Sequence, residues 1–256
     1  MNGTMIVPLA DIYTIMMASF RASSLVFLLP IFSGKVLSGS VKAALGIILA
    51  IVVYPSIQEP TIPLQWTHFL EASVKEILAG LLMGLVANMI FYTVEVSTQI
   101  IGMSTGLSMG SIFDPMMESS TTPVSSLLFY FSCMVLFTTN MHLDIIYAFA
   151  RSFTILPIGI QWFGKEGIAF FIRDTSSIFT IGLQMAAPVI AANFLINLTF
   201  AVLGKAAPRM NVFVISFAIT IIVGLYLLMM TSDLFTQYIQ LGFSSVPEKM
   251  LRCLLR

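Results

Sequence analysis

Charged residues are scarce in this sequence of 256 amino acids, because Asp, Glu, Lys and Arg make up only 9% of it. Soluble domains carry roughly 25% charged residues. Hydrophobic residues make up 58%, and the mean hydropathy is +0.97. Two stretches without any charge, Thr175–Gly204 and Met210–Ser232, each exceed the roughly 20 residues that span hydrocarbon as a helix. The composition therefore indicates a bilayer or a very apolar assembly as the environment.

Residues that bind metals, form disulfides or contact nucleic acid are also few. Cys133 and Cys253, with His68 and His142, show no zinc-type spacing and no disulfide framework. The net charge is zero and no basic cluster occurs, so the electrostatic footprint of nucleic-acid binding is missing. Arg21, the first basic residue, lies inside the first apolar run, which predicts a retained N-terminus without a cleavable signal peptide. We expect no metal, no cofactor and no nucleic acid.

The sequence shows no arrangement of residues typical of catalysis. Ser/His/Asp ordering, a glycine-rich phosphate loop and paired carboxylates are all missing, so we expect no enzymatic activity. His142 with Asp144 resembles part of a proton relay, and Glu95, Asp114 and Glu118 are candidate carboxylates of an ion-coupled transporter. These residues are scattered, and caps of helix ends are the alternative interpretation.

The apolar segments predict an all-α, membrane-associated fold with one domain over residues 1–256. The predicted helices are Ile12–Phe32, Val41–Ile57, Ile77–Val94, Val124–Leu143, Ile178–Leu203 and Met210–Met230. The short segment Ile145–Ile160 suits a re-entrant or interfacial piece. We expect a kink at Pro188 and, because the connector after Gly204 is short, a tight antiparallel hairpin of the last two helices.

The basic residues of the loops predict a conflicting topology. With six spans, the loops that carry Lys35, Lys42, Lys205 and Arg209 lie on the cytoplasmic side and the N-terminus lies outside. The same arrangement leaves other basic residues on the wrong side, namely Arg151, Lys165, Arg173, Lys249, Arg252 and Arg256. Either the number of spans is different, or these helices do not all cross the membrane as independent units.

Several residues inside the apolar segments need partners. A charge at the position of Arg21 costs about 2.5–3.5 kcal/mol on insertion scales unless it is paired or hydrated. Its partner is a helix-end carbonyl or a neighbouring carboxylate, or else Arg21 is a charge that lines or gates a pore. Asn193 and Asn197 are four residues apart and favour hydrogen bonds between helices. Glycines at the same spacing, Gly80 with Gly84 and the series Gly102, Gly106 and Gly110, favour close helix packing where they are helical.

The stretch from Gln99 to Pro115, QIIGMSTGLSMGSIFDP, differs from an ordinary loop. Its glycines permit irregular backbone, and methionines fill uneven gaps. Irregular backbone at membrane depth occurs only inside protein or beside a water-filled cavity. The stretch is therefore interpreted as a flexible seal inside a channel, or as a buried connector that only packs.

The chain resembles the FliR/SctT family of type III export-gate proteins over nearly its whole length. The resemblance rests on Arg21 and Pro30, and on the segments GLSMGSIFDP (106–115), NMHLDIIYAFARSFTILPIG (140–159) and AAPVIAANFLINLTFAVLGKAAPRMNVFVISFAITIIVGLYLL (186–228). It implies kinked helical hairpins in an assembly with FliP-like, FliQ-like and FlhB-like proteins at the flagellar basal body in the bacterial inner membrane. Unfolded flagellar proteins would pass through this gate. Its virulence-secretion counterpart remains an alternative, and a secondary transporter is less compatible because repeated halves are missing.

The resemblance also implies that the loop 102–118 closes the gate interior as a pore plug. The predicted plug residues are Gly102, Met103, Gly106, Met109, Gly110, Asp114, Pro115, Met116 and Met117. We expect assembly contacts at Arg21, Pro188, Asn193, Asn197, Lys205, Pro208 and Arg209.

Overall fold

The computed structural model describes residues 9–33, 37–57, 66–109, 122–159, 165–207 and 211–255, and all regular elements in these ranges are helices. The helices are α1 (Leu9–Leu28), α2 (Pro30–Ser33), α3 (Gly39–Val53), α4 (Trp66–Thr105), α5 (Pro123–Thr138), α6 (Met141–Ile155), α7 (Lys165–Ala206), α8 (Val212–Met230) and α9 (Ser232–Arg252). Short 3₁₀ turns cover Tyr54–Ser56 and Leu107–Met109. The predicted all-α fold is thus confirmed.

Local signals explain a helix boundary that the apolar pattern concealed. The side chain of Thr122 caps α5 by accepting a hydrogen bond from the Ser125 amide, and Pro123 occupies the first helical position. Asn140 has a φ of 57°, a left-handed conformation that asparagine tolerates better than most residues. The predicted segment Val124–Leu143 is therefore two helices, α5 and α6, that meet at Asn140.

Other predicted helices had the wrong length. Helices α4 and α7 contain 40 and 42 residues, far more than the predicted segments Ile77–Val94 and Ile178–Leu203, and α7 continues through Pro188. The segment Ile145–Ile160, predicted as a re-entrant or interfacial piece, contains most of helix α6, which is bent by 72° relative to α5. Because such a bent pair is either a broken span or a re-entrant loop, this assignment stays a prediction. Helix α9 was not predicted, because its charged residues and Pro247 interrupt the apolar pattern.

The six-span topology is not supported by the described residues. By length and composition, three helical stretches are able to cross a membrane: Gly39–Ser56, His68–Thr105 and Glu166–Ala206. The count rises to at most five if the bent pairs α5 with α6 and α8 with α9 each form one span. Helix α1 is not among them. A number of spans other than six, which was one of the two explanations of the conflict in the loop charges, is therefore favoured by the described helices.

The packing divides the chain into two compact units, each built from separated segments. Unit 1 contains Met1–Met89, Asn140–Asp174 and Phe243–Arg256, and unit 2 contains Ile90–Thr139 and Thr175–Gly242. Helices α4, α7 and α9 each contribute residues to both units. The single domain over residues 1–256 stays a prediction.

In unit 1, α1 runs parallel to the first half of α4. The contacts that set this register are Tyr13 with Phe69, Met17 with Ser73, and Leu28 with Asn88. Helix α3 returns antiparallel along α1, with Gly46 against Ser23 and Lys42 over the ring of Phe27. The end of α9 and the residues after it also belong to unit 1, where Phe243, Val246, Met250, Cys253 and Leu254 are buried. The first and last parts of the sequence therefore share one core.

In unit 2, α5 runs antiparallel to the second half of α4, and α7 runs parallel to it. The contacts of α4 with α5 are Thr98 with Ser125 and Phe91 with Phe129, and those with α7 are Val96 with Gly182 and Ser104 with Asn193. Gly204 faces Val212, and Gly224 faces Asn193. These last pairs confirm the predicted antiparallel hairpin of α7 and α8.

Candidate functional site

Arg21 lies at the centre of a buried charge cluster in unit 1, which we define as Arg21, Glu76, Ser152, Leu156 and Gly159. Its side chain is completely buried, and Nε donates to Glu76 Oε2 at 2.6 Å. Nη1 donates to Ser152 Oγ at 3.1 Å, and Nη2 donates to the carbonyl oxygen of Leu156 at 3.0 Å. The guanidinium also stacks on the ring of Phe153, 4.1 Å from its centre. The cost of burying this cation is thus offset by four contacts.

Glu76 uses both of its carboxylate oxygens in the same cluster. Oε2 accepts from Arg21, and Oε1 accepts from the backbone N–H of Gly159 at 3.3 Å. Gly159 has a φ of 83°, which favours glycine, and it follows the C-terminal end of α6. The negative end of the α6 dipole, at the Leu156 carbonyl, suits the cation. The cluster therefore connects α1, α4 and the end of α6.

These contacts support the structural interpretation of Arg21 over that of a pore-lining charge. Its partners are a carboxylate and a helix-end carbonyl, both in the same chain. Because Arg21 has no exposed surface, it does not contact another subunit directly in this conformation. Its predicted role in assembly, which stays a prediction, would act through the fold of unit 1.

We expect Arg21→Leu to reduce the amount of protein in the membrane strongly, because Glu76 would be buried without its counter-ion. Loss of one partner of a buried pair costs about 3–5 kcal/mol. Arg21→Lys should have an intermediate effect, since a lysine keeps the charge but loses the fork that reaches both Ser152 and Leu156. Quantitative immunoblots of membranes measure this ranking, and a leucine variant as abundant as the parent would contradict it.

The glycine pair of α4 makes the close helix packing that its spacing predicted. A Cβ atom on Gly84 would lie 3.1 Å from the carbonyl oxygen of Leu25 and 2.8 Å from Leu28 Cβ. At Gly80 it would meet the backbone of Arg21 and the side chain of Ser24. Both glycines thus bring α4 against the backbone of α1 inside unit 1.

The described residues on either side of 110–121 lie close together in unit 2, in what we call the loop stem, residues 98–109 with 122–125. Ser125 Oγ donates to Thr98 Oγ1 at 2.8 Å, which joins α5 to α4. A Cβ atom on Gly102 would lie 2.9 Å from Ser108 Oγ and 3.4 Å from Thr122 Cγ2. The described residues before and after 110–121 are therefore joined by contacts within unit 2.

Residues 102–109 of the predicted plug differ in their conformation. Gly102 is buried in α4, so it does not provide the irregular backbone that we expected of it. Gly106 has a φ of 79°, ends the helix and lies against the ring of Phe217. Met103 is 72% exposed, and Met109 closes the 3₁₀ turn. The other predicted plug residues, Gly110, Asp114, Pro115, Met116 and Met117, lie outside the described residues.

The residues predicted as assembly contacts, apart from Arg21, differ in their exposure. Asn193 is buried and donates to Ser104 Oγ at 3.5 Å, so it connects α7 to α4 within the chain. Asn197 and Lys205 are exposed on α7, and Pro188 is half-buried. Pro208 and Arg209 lie outside the described residues. Of this set, Asn197 and Lys205 offer free surface to a partner.

Comparison with known proteins identifies the family to which this arrangement belongs. Residues 12–246 match the model of a family described as bacterial export proteins, family 1. The chain belongs to this family. It is 28% identical to the flagellar biosynthetic protein FliR of Pectobacterium carotovorum subsp. carotovorum over 226 residues, covering 88% of this chain and 87% of the relative.

Two further relatives come from flagellar and from Yop export. The flagellar biosynthetic protein FliR of Escherichia coli (strain K12) is 27% identical over 226 residues, with 88% of this chain and 87% of the relative covered. The Yop proteins translocation protein T of Yersinia pestis is 31% identical over 212 residues, with 81% of this chain and 80% of the relative covered. The resemblance to the FliR/SctT family is thereby confirmed, and with it a place in type III protein export.

Proposed function

We propose that the protein is a subunit of the flagellar type III export gate in the inner membrane, and that unfolded flagellar proteins pass through the assembled gate. The match over residues 12–246 and the relatives named FliR carry this proposal. The chain contributes structure rather than catalysis in this proposal. Energy for transport would come from other components of the apparatus.

The exposed apolar surface supports assembly with FliP-like, FliQ-like and FlhB-like proteins. The share of the most apolar stretch that is buried is only 17% in α7 and 22% in α3, whereas it is 67% in α4. Helix α7 also exposes the amide of Asn197 among apolar neighbours such as Phe194 and Leu198. An amide in lipid lacks hydrogen-bond partners, so this surface suits a protein partner better than hydrocarbon.

We expect the chain expressed alone to be degraded or to aggregate, and co-expression with FliP-like and FliQ-like proteins to raise its membrane abundance several-fold. Uncovered apolar surface of this extent favours aggregation. Blue-native electrophoresis and affinity purification in mild detergent measure the result. Co-expression of an unrelated membrane protein at the same level is the control. A monodisperse chain that is equally abundant with and without the partners would contradict the export-gate proposal.

We further propose that the loop between the two halves of the stem is a pore plug. Its sequence is rich in methionine, glycine and serine, and the stem holds both of its ends in unit 2. In this proposal the segment moves aside for a passing chain, while the hydrogen bond between Thr98 and Ser125 keeps the stem in place. The alternative is a buried connector that only packs. The plug and the connector predict different membrane permeability after the apolar residues of this segment are replaced.

The relative from Yop export offers a second candidate system. Its 31% identity is no lower than that of the flagellar relatives. Complementation of a strain that lacks its own flagellar FliR separates the two systems, because restored motility requires assembly with flagellar partners. Failure there, combined with restored secretion in a strain that lacks the Yop protein, would assign the chain to the second system.

A further inference from the structure

Helix α1 combines two properties that an independent membrane span does not have together. It contains 20 residues, which is long enough to cross hydrocarbon, yet it carries two charged residues, Asp11 in its first turn and Arg21 further along. Arg21 stands in its middle and is completely buried. The protein, and not lipid or water, therefore surrounds the part of α1 that lipid would reject.

The groups that satisfy Arg21 are all supplied by later parts of the chain. Glu76 follows 55 residues later in α4, and Ser152 and Leu156 follow more than 130 residues later. The α1–α4 contact is also unusually close, since glycines of α4 lie against the α1 backbone at Arg21 and Leu25. The charge pair and the close packing thus occur at the same level of the two parallel helices.

We propose that the Arg21–Glu76 pair is the device that docks α1 on α4. Before α4 is in place, Arg21 has no counter-ion and disfavours any position of α1 in hydrocarbon. When α4 presents Glu76, the pair forms and the glycine face closes on α1. The proposal does not depend on which export system the protein serves.

A disulfide between α1 and α4 tests this docking in the full chain, co-expressed with its partner proteins in membranes. Cys133 and Cys253 are first replaced by alanine, and Met17→Cys with Ser73→Cys provides the reporter, because the two native side chains are in contact at 3.8 Å. Oxidation followed by non-reducing electrophoresis gives the cross-linked fraction. In the reporter background we expect efficient cross-linking.

In the same background, Arg21→Leu or Glu76→Leu alone should lower the cross-linked fraction to less than about a third, because each leaves a buried charge unpaired. The double variant Arg21→Leu with Glu76→Leu should recover most of it, since neither charge is then left alone. Glu71→Gln, which removes the exposed pair with Lys75 on the same helix, is the matched control and should cross-link like the parent.

Two results would overturn the proposal. If both single variants cross-link like the parent, the charge pair does not dock α1. If the double variant cross-links no better than the weaker single variant, the two residues act separately and no pair-dependent docking exists. Because the readout is a distance within one chain, it stays informative even where export has failed.

Discussion

Replacing Gly80 by leucine is expected to destabilise unit 1 by about 3 kcal/mol and to remove most of the protein from the membrane. A Cβ atom at this position would lie only 3.0 Å from the carbonyl carbon of Arg21, and closer still to its oxygen and to Ser24 Oγ. The obstacle is backbone, which a rotamer change does not move. Helix α1 would have to shift away from α4, and the Arg21–Glu76 pair would lengthen.

The alanine variant of the same residue separates helix propensity from packing. In an open helix, Gly→Ala is favourable by about 1 kcal/mol. At Gly80 the clash with the α1 backbone should exceed this gain, so Gly80→Ala is expected to be destabilising as well. Gly204→Ala is the matched control, because there the nearest atom is Val212 Cγ2 at 3.8 Å. Thermal unfolding of the solubilised complex compares the three variants. A Gly80→Ala variant as stable as Gly204→Ala would show that the close helix contact is incorrect.

The hydropathy pattern predicted the helices that are apolar along their whole length. It gave the wrong bounds for helices that pass from an apolar stretch into one with charged residues. Helices α4 and α7 both continue well beyond the predicted segments at their N-terminal ends, into stretches with Glu71, Lys75 or Arg173. A hydropathy pattern ends a segment at such charges, whereas a protein core or water accommodates them. The boundary at Asn140 was missed for the opposite reason, since apolar residues continue on both sides of it.

For each candidate contact, the sequence indicated one of the two partners but not the other. The sequence indicated that Arg21 needs a partner, but it did not indicate which one, because Glu76 lies just outside the predicted helix Ile77–Val94. The spacing of Gly80 and Gly84 correctly indicated close packing, although not against which helix. Partners separated by 55 residues or more are set by the tertiary fold, which local patterns do not contain.

Replacing four apolar residues of the predicted plug, with its length kept, is expected to make the assembled gate permeable to ions. The variant changes Ile112, Phe113, Met116 and Met117 to serine, which removes the adaptable apolar side chains that would exclude water from a closed pore. It keeps Gly106 and its contact with Phe217, and it keeps the hydrogen bond between Thr98 and Ser125. A deletion that begins at Gly106 would instead damage the stem and confuse leakage with loss of fold.

Growth rate, and uptake of a small impermeant dye, measure the leak in cells that co-express the partner proteins. A variant with Ser119 and Ser120 changed to alanine is the control, since it alters the same loop and keeps its apolar residues. Affinity purification from the same cells must first show that the complex is intact. With an intact complex, the plug proposal requires higher dye uptake in the four-serine variant than in the control. A connector that only packs would give a dissociated complex and no leak. An open pore without its apolar seal would let water and ions through, so an intact complex with unchanged permeability would exclude the plug.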